Sequence, residues 1–198
     1  FDIVAITGNS MGFYTALGLS GALDLPACFK LVETMAEYQE RNVIGGQIIY
    51  PLVDEEWQRV PERELLVQYL IDTIPDLHWS IKLGGQAVLG GTKSALEKAI
   101  KRLPEIELNG TTYPFQLPLH SAFHTLQMNP AHRQAVRDLG DLPIQTPNIP
   151  LIDGRGHIWQ PRACSSSELL SYTLGKQVTA FYDFRASVRA ALRNYAPE

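Results

Sequence analysis

The sequence predicts an α/β fold with a small subdomain inserted into it, and three observations carry that reading. A short apolar run at residues 3–6 leads into the turn Gly8-Asn9-Ser10-Met11-Gly12 and then into FYTALGLSGALDL, which is rich in helix formers. Strand, tight turn and helix in that order are the grammar of α/β proteins. From Gly45 the pattern becomes β-α-β-β-α-β, the order of a ferredoxin-like unit, and after Leu119 the mixed character returns. The expected division is an α/β core at 1–44 and 118–198, incomplete at both ends, and a ferredoxin-like subdomain at 45–117.

Each element has its own signal. Residues 3–6 are continuously apolar, as in a strand buried on both faces. The helix after the turn meets its stop at residues 24–26. A second helix at 27–40 places Leu31, Met35 and Tyr38 on one face. GGQIIYPLV reads as a strand, and 62–74 as a helix with Leu66, Tyr69 and Leu70 on one side. LHWSIKL and QAVLG flank Gly84-Gly85, a two-residue hairpin signal because both positions tolerate positive φ. Ser94 and Glu97 match a capping box, and Glu97 and Lys101 an i,i+4 pair, so a helix follows. A last strand of the subdomain is expected over 112–117. Residues 143–150 form a proline-punctuated connector, and LID and HIW around Gly154 to Gly156 a short hairpin. Ser165 and Glu168 repeat the capping-box pattern, and a final amphipathic helix is expected over 179–193.

Composition excludes several classes. The 198 residues are 45% hydrophobic and 19% charged, enough apolar material for a core without disulfide or metal staples. A net charge of -4 with no basic patch argues against a nucleic-acid partner. Cys28 and Cys164 lie far apart with no metal-ligand spacing, as reduced side chains of a cytoplasmic protein that binds no metal. No apolar run approaches the roughly 18 to 20 residues that cross a bilayer, and no signal peptide opens the chain. Phe1 starts inside an apolar run with no initiator methionine, so the chain is expected to begin within a larger sequence.

The turn carries the chemistry. Gly8 to Gly12 fits G-x-S-x-G between a strand and a helix, where flanking glycines let the backbone hold Ser10 out from the strand end. The helix start brings unpaired N–H groups and its positive end, so the Met11 N–H is placed to donate to an oxyanion. The plainer alternative is a glycine turn whose serine caps the helix. The strand-turn-helix context favours the nucleophile. A serine needs a base, and five histidines are present. His78 and His157 fall in a presumed strand and hairpin and read as structural or solvated. His132 sits in a polar helix start and reads as surface. His120 and His124 lie where the chain leaves the subdomain, a natural cleft wall. Position alone does not choose between them.

GNSMGFYTALGLSGALDL, GGQAVLGGTKSALEKAIKRL and LPLHSAFHTLQM, in that order, resemble the malonyl-CoA:acyl-carrier-protein acyltransferase family, including acyltransferase domains of polyketide synthases. The resemblance runs from the elbow to about Phe184. It implies an acyltransferase fold with a hydrolase-like parallel-sheet core. It implies Ser10 as the residue that takes the acyl group as an ester. It also implies His124 as the base, without an aspartate partner. The implied partners are an acyl-CoA and an acyl carrier protein, with coenzyme A thioester as substrate and no permanently bound cofactor.

Departures from the family bear on the acyl group. Asn9 stands where the family has histidine. Met35 stands where members that carry malonyl have an arginine, and a methionine cannot clamp a carboxylate. Arg41 is six residues on, nearly two helical turns away. Family habit favours malonyl, and Met35 favours an uncharged short acyl group. The resemblance also implies that Phe123 sets a size limit compatible with acetyl or malonyl. Asn9, Met35 and Phe123 are thus the expected substrate contacts. The family's N-terminal glycine-glutamine turn and its closing glycine-rich segment have no counterpart. Two rivals remain: an acyl-carrier-protein hydrolase using the same Ser10 and His124, and a non-catalytic docking domain.

Overall fold

The computed structural model describes residues 2–41 and 43–196, so Phe1 lies outside the described residues. The elements run β1 (Ile6–Thr7), α1 (Gly12–Leu19), α2 (Leu25–Arg41), β2 (Gly46–Pro51), α3 (Pro61–Thr73), β3 (Leu77–Lys82), β4 (Gln86–Gly91) and α4 (Lys93–Arg102). There follow β5 (Ile106–Leu108), β6 (Thr111–Tyr113), β7 (Phe115–Gln116), a 3-10 turn at Leu126–Met128, α5 (Asn129–Leu139), β8 (Leu151–Ile152) and β9 (Ile158–Trp159). The chain ends with α6 (Ser166–Leu174), α7 (Lys176–Thr179), β10 (Tyr182–Asp183) and α8 (Phe184–Tyr195). No helix among the described residues is long and apolar enough to cross a membrane.

These elements form two compact units. One holds the chain up to Tyr38, Pro130–Val178 and the residues from Tyr182 onward; the other holds Gln39–Asn129 and Thr179–Phe181. The divisions fall at Tyr38/Gln39 and Asn129/Pro130, whereas the sequence pattern puts them at 44/45 and 117/118. The segment after 118 goes with the second unit because it is bonded there: Ala122 N–H donates to Ile44 C=O at 2.7 Å, and Ser80 Oγ to Phe123 C=O at 2.8 Å.

In the first unit β1 runs parallel to β8, with Ile6 opposite Leu151 and Thr7 opposite Ile152, and β8 pairs antiparallel with β9. This sheet is mixed rather than wholly parallel. The strand expected over 3–6 is confined to Ile6–Thr7, and Ile3 and Val4 are exposed. The ladder opens with Ile6 N–H on Pro150 C=O at 2.8 Å, and Pro150 has no N–H with which to extend it. Helix α1 stops at Leu19, short of residues 24–26, because Gly21 turns the chain at φ 76°; a Cβ there would lie 2.3 Å from Asn148 Nδ2. Asp24 instead opens α2, accepting Ala27 N–H at 2.8 Å, with Pro26 in the first turn where no N–H is needed. Ala27, Leu31, Met35 and Tyr38 are the buried face of α2, and Tyr38 OH donates to Asp138 of α5 at 2.5 Å.

In the second unit the strands are ordered β3-β4-β2-β7, each antiparallel to its neighbour. Ile48, Leu70, Leu77, Leu89 and Leu96 are buried in one core between these strands and helices α3 and α4. Each such side chain contributes about 1.5–3 kcal/mol on burial. Of the hairpin glycines only Gly84 takes positive φ, 94°. The strand expected over 112–117 is divided at Pro114. Thr111–Tyr113 pairs with β5, and Phe115–Gln116 pairs with β2. Helix α4 is capped by Thr92, which accepts Ala95 N–H at 3.2 Å, and not by Ser94. Glu97 and Lys101 form no ion pair in the structure. Ser165 caps α6 as expected, accepting Glu168 N–H at 3.3 Å. The helix expected over 179–193 begins at Phe184, where Asp183 accepts Ala186 N–H at 3.2 Å.

Candidate active site

In the first unit β1 delivers the chain to the elbow. A Cβ on Gly8 would lie 2.1 Å from the Gly12 carbonyl oxygen, so the close return of the backbone demands glycine; Gly12 itself faces open space. Ser10 is half-buried and takes φ 53°, a left-handed conformation that costs a non-glycine residue about 1–2 kcal/mol. Such strain persists when the surroundings over-determine it. Here Gly12 N–H donates to Asn9 C=O at 2.8 Å, Phe13 N–H to Ser10 C=O at 3.0 Å, and Gln177 Nε2 to Ser10 C=O at 2.7 Å. Tyr182 OH donates to Gly8 C=O. Burial first, then the Asp153 carboxylate and Tyr14, push the Tyr182 hydroxyl pKa well up, which keeps it a donor. The Met11 side chain is exposed, and its N–H has no hydrogen-bond partner among the described residues. Asn9 Oδ1 is buried and likewise unpartnered.

In the second unit Phe123 and His124 share a loop fixed to the sheet. The Phe123 carbonyl accepts Ser80 Oγ at 2.8 Å and Gln47 Nε2 at 3.3 Å, while Gln47 Nε2 also donates to Ser80 Oγ at 2.7 Å. Thr125 Oγ1 donates to Ala122 C=O at 2.6 Å. A Cβ on Gly90 would lie 2.9 Å from Thr125 Cγ2, so the loop sits closely on β4. His124 is 2% exposed at φ 61°, and the Phe123 ring centroid lies 6.4 Å from its own. His120 is exposed, with Nδ1 3.2 Å from Pro118 C=O.

The structure thus groups Asn9, Ser10 and Met11 on the elbow and Phe123 with His124 on the second loop. Met35 lies in the buried stripe of α2, 5% exposed, and Arg41 is exposed at that helix's end. His78 lies in β3, and His157 is exposed with its ring 4.6 Å from that of Trp159. His132 is not a surface residue: it is half-buried, and Nδ1 donates to Leu174 C=O at 2.8 Å, satisfying the end of α6. Asp153 is fully buried, but its carboxylate accepts from Arg155, from the His157 N–H and from Trp159 Nε1, so it braces the β8–β9 turn. Among the described residues no group of three His, Cys, Asp or Glu is placed to hold a metal ion. Gln177, Tyr182, Gln47 and Ser80 carry no sequence signal of their own.

No family model matches the chain. It is 27% identical over 192 residues to the non-reducing polyketide synthase gsfA of Penicillium aethiopicum, covering 94% of this chain and 10% of that protein. It is 24% identical over 151 residues to the malonyl CoA-acyl carrier protein transacylase of Haemophilus influenzae, covering 75% of this chain and 46% of that one. The chain spans less than half the length of these curated relatives. A malonyl CoA-acyl carrier protein transacylase of Burkholderia pseudomallei superposes with a TM-score of 0.79 at 20% identity, covering 99% of this chain and 62% of that one. The chain therefore has the acyltransferase fold, and in sequence it is similar to malonyl CoA-acyl carrier protein transacylases and polyketide synthases.

Proposed function

We propose that the chain is the catalytic part of an acyltransferase that moves a small acyl group from coenzyme A to the phosphopantetheine thiol of an acyl carrier protein. The observation that carries this is Ser10, a non-glycine residue held left-handed between β1 and α1 with the neighbouring Met11 N–H unused. In the proposed cycle His124 takes the Ser10 proton as Oγ attacks the thioester carbonyl, and the Met11 N–H donates to the oxyanion. The thiolate of coenzyme A leaves with the proton that His124 returns. The carrier thiol then attacks the Ser10 ester and repeats these steps in reverse. An oxygen ester flanked by two thioesters keeps the transfer close to balance.

Asn9, Met35 and Phe123 are the proposed contacts to the acyl group. An uncharged short acyl is favoured by Met35, and malonyl by the names of the relatives. The reading of 45–117 as a ferredoxin-like subdomain is supported by the order of β2, α3, β3, β4, α4 and β7 and by their pairing. No permanently bound cofactor is required by the cycle, and two free cysteines fit a cytoplasmic setting.

The test is intact mass after brief mixing with malonyl-CoA, acetyl-CoA or a medium-chain acyl-CoA, with Ser10→Ala alongside. A donor-dependent adduct that is lost in Ser10→Ala is expected, and the donor that labels best identifies the acyl class. No adduct from any donor, with no free acid released, would leave a docking domain; steady release of free acid would make it a hydrolase.

A further inference from the structure

We infer that Ser80 is a positioning residue for the base: from a bulge in β3 it holds the Phe123–His124 peptide and so aims the His124 ring. The inference rests on the acyltransferase reading above. His124 takes φ 61° while only 2% exposed, a conformation that a non-glycine residue keeps only when its surroundings hold it. Phe123 C=O and His124 N–H belong to one planar peptide, and turning that plane changes φ at His124. The direction in which the imidazole leaves the backbone turns with it. What grips the Phe123 carbonyl therefore aims the ring.

Ser80 is fully buried, and its Oγ donates to that carbonyl at 2.8 Å. Gln47 fixes the direction of this bond. Its Nε2 lies 3.3 Å from the same carbonyl oxygen and 2.7 Å from Ser80 Oγ. An amide nitrogen only donates, so the serine hydroxyl proton goes to Phe123. A chain of bonds from Gln47 through Ser80 to Phe123 is one in which each bond strengthens the next. The backbone is shaped for this contact. Trp79 pairs with Leu89 and Ile81 with Val88, so Ser80 is the extra residue of a β-bulge, a device that re-aims a side chain. On β4 a Cβ at Gly90 would lie 3.3 Å from Ser80 Cβ and 2.9 Å from Thr125 Cγ2. Glycine there leaves the space in which the loop meets the bulge. Ser80 touches no reacting atom in the proposed cycle.

The experiment uses the full chain with Ser80→Ala, Ser80→Cys and, as a control, Ser187→Ala. Ser187 is also fully buried and donates to a carbonyl, that of Asp153 at 2.6 Å in the first unit. Its loss matches that of Ser80 in chemistry and differs in place. Rapid-quench intact mass gives the maximal rate of acyl-Ser10 formation, the acyl-CoA concentration at half-maximum and the dependence of the rate on pH. With the base in place the rate rises with pH and levels off once the imidazole is neutral. With the base misaimed, hydroxide replaces it and the rate keeps rising. General-base catalysis is worth about 10²- to 10⁴-fold, and Gln47 keeps a weaker hold on the carbonyl. Ser80→Ala should therefore slow the maximal rate about tenfold to a hundredfold, with half-saturation little changed. The plateau should be lost in Ser80→Ala and kept in Ser187→Ala. A folded Ser80→Ala with the wild-type rate, or one slowed with an unchanged pH profile, overturns the inference while leaving the acyltransferase reading intact. So does an equal slowing in Ser187→Ala. A wild-type chain that takes no acyl group overturns both. If Ser80→Ala fails to fold, Ser80→Cys, whose thiol is a weak donor of similar shape, decides by the same readouts.

Discussion

The elbow's two glycines do different work. A Cβ on Gly8 would meet the Gly12 carbonyl at 2.1 Å, and since the obstacle is backbone the whole turn must open to admit it. Gly8→Ala should therefore lower stability by about 1–3 kcal/mol and displace Ser10 from its left-handed position. Gly12 starts α1 with nothing within 4 Å of its notional Cβ. Gly12→Ala should be neutral or stabilising by up to about 1 kcal/mol, through lower chain entropy in the unfolded state. Urea midpoints of the two variants check the contrast, and equal losses would refute it. The G-x-S-x-G pattern was legible because strand, turn and helix adjoin one another in the sequence. The groups that hold the candidate residues were not. Gln177 reaches Ser10 across 167 positions, and Gln47 and Ser80 reach Phe123 across 76 and 43. Local patterning has no access to such pairings.

The type of each element is legible in the sequence, but its ends are less so, because two local signals compete there. In TKSALEKA the capping-box pattern pointed to Ser94, but Thr92 is the residue with extended backbone, φ -62° and ψ 157°, and its hydroxyl reaches Ala95 N–H. Ser94 is already inside the helix. Thr92→Ala should cost about 1 kcal/mol, whereas Ser94→Ala should stay within about 0.5 kcal/mol of wild type. Thermal unfolding of the pair measures this, and a larger loss from Ser94→Ala would return the cap to that residue. The same competition explains residues 24–26, where Asp24 and Pro26 serve as a helix start rather than a stop. It also explains 112–117, where Pro114 separates two short strands with different partners. Propensity identified the segments; the neighbours that cap and pair them fixed the bounds.

Across the whole molecule the buried tyrosines make stability sensitive to alkali. Burial is the first cause that pushes the hydroxyls of Tyr14, Tyr38, Tyr50, Tyr172 and Tyr182 above their ordinary pKa, and four of the five lie in the first unit. The unfolded chain titrates near pH 10, so above that pH it has lost protons that the folded chain keeps. Their contribution is therefore fully present below about pH 10 and falls as pH rises towards the folded values. Tyr50 isolates the effect. It is fully buried in the second unit's core, and its hydroxyl has no hydrogen-bond partner among the described residues. At pH 7, Tyr50→Phe should be neutral or stabilising by about 1 kcal/mol, because it removes an unsatisfied buried hydroxyl. At pH 11 its advantage over wild type should be larger than at pH 7, since burial raises the Tyr50 hydroxyl pKa in the folded state and phenylalanine has no proton for the unfolded state to lose. Urea unfolding at the two pH values measures the difference. An advantage unchanged between pH 7 and 11 would mean that the Tyr50 hydroxyl ionises alike in both states, and so is not sealed in the core.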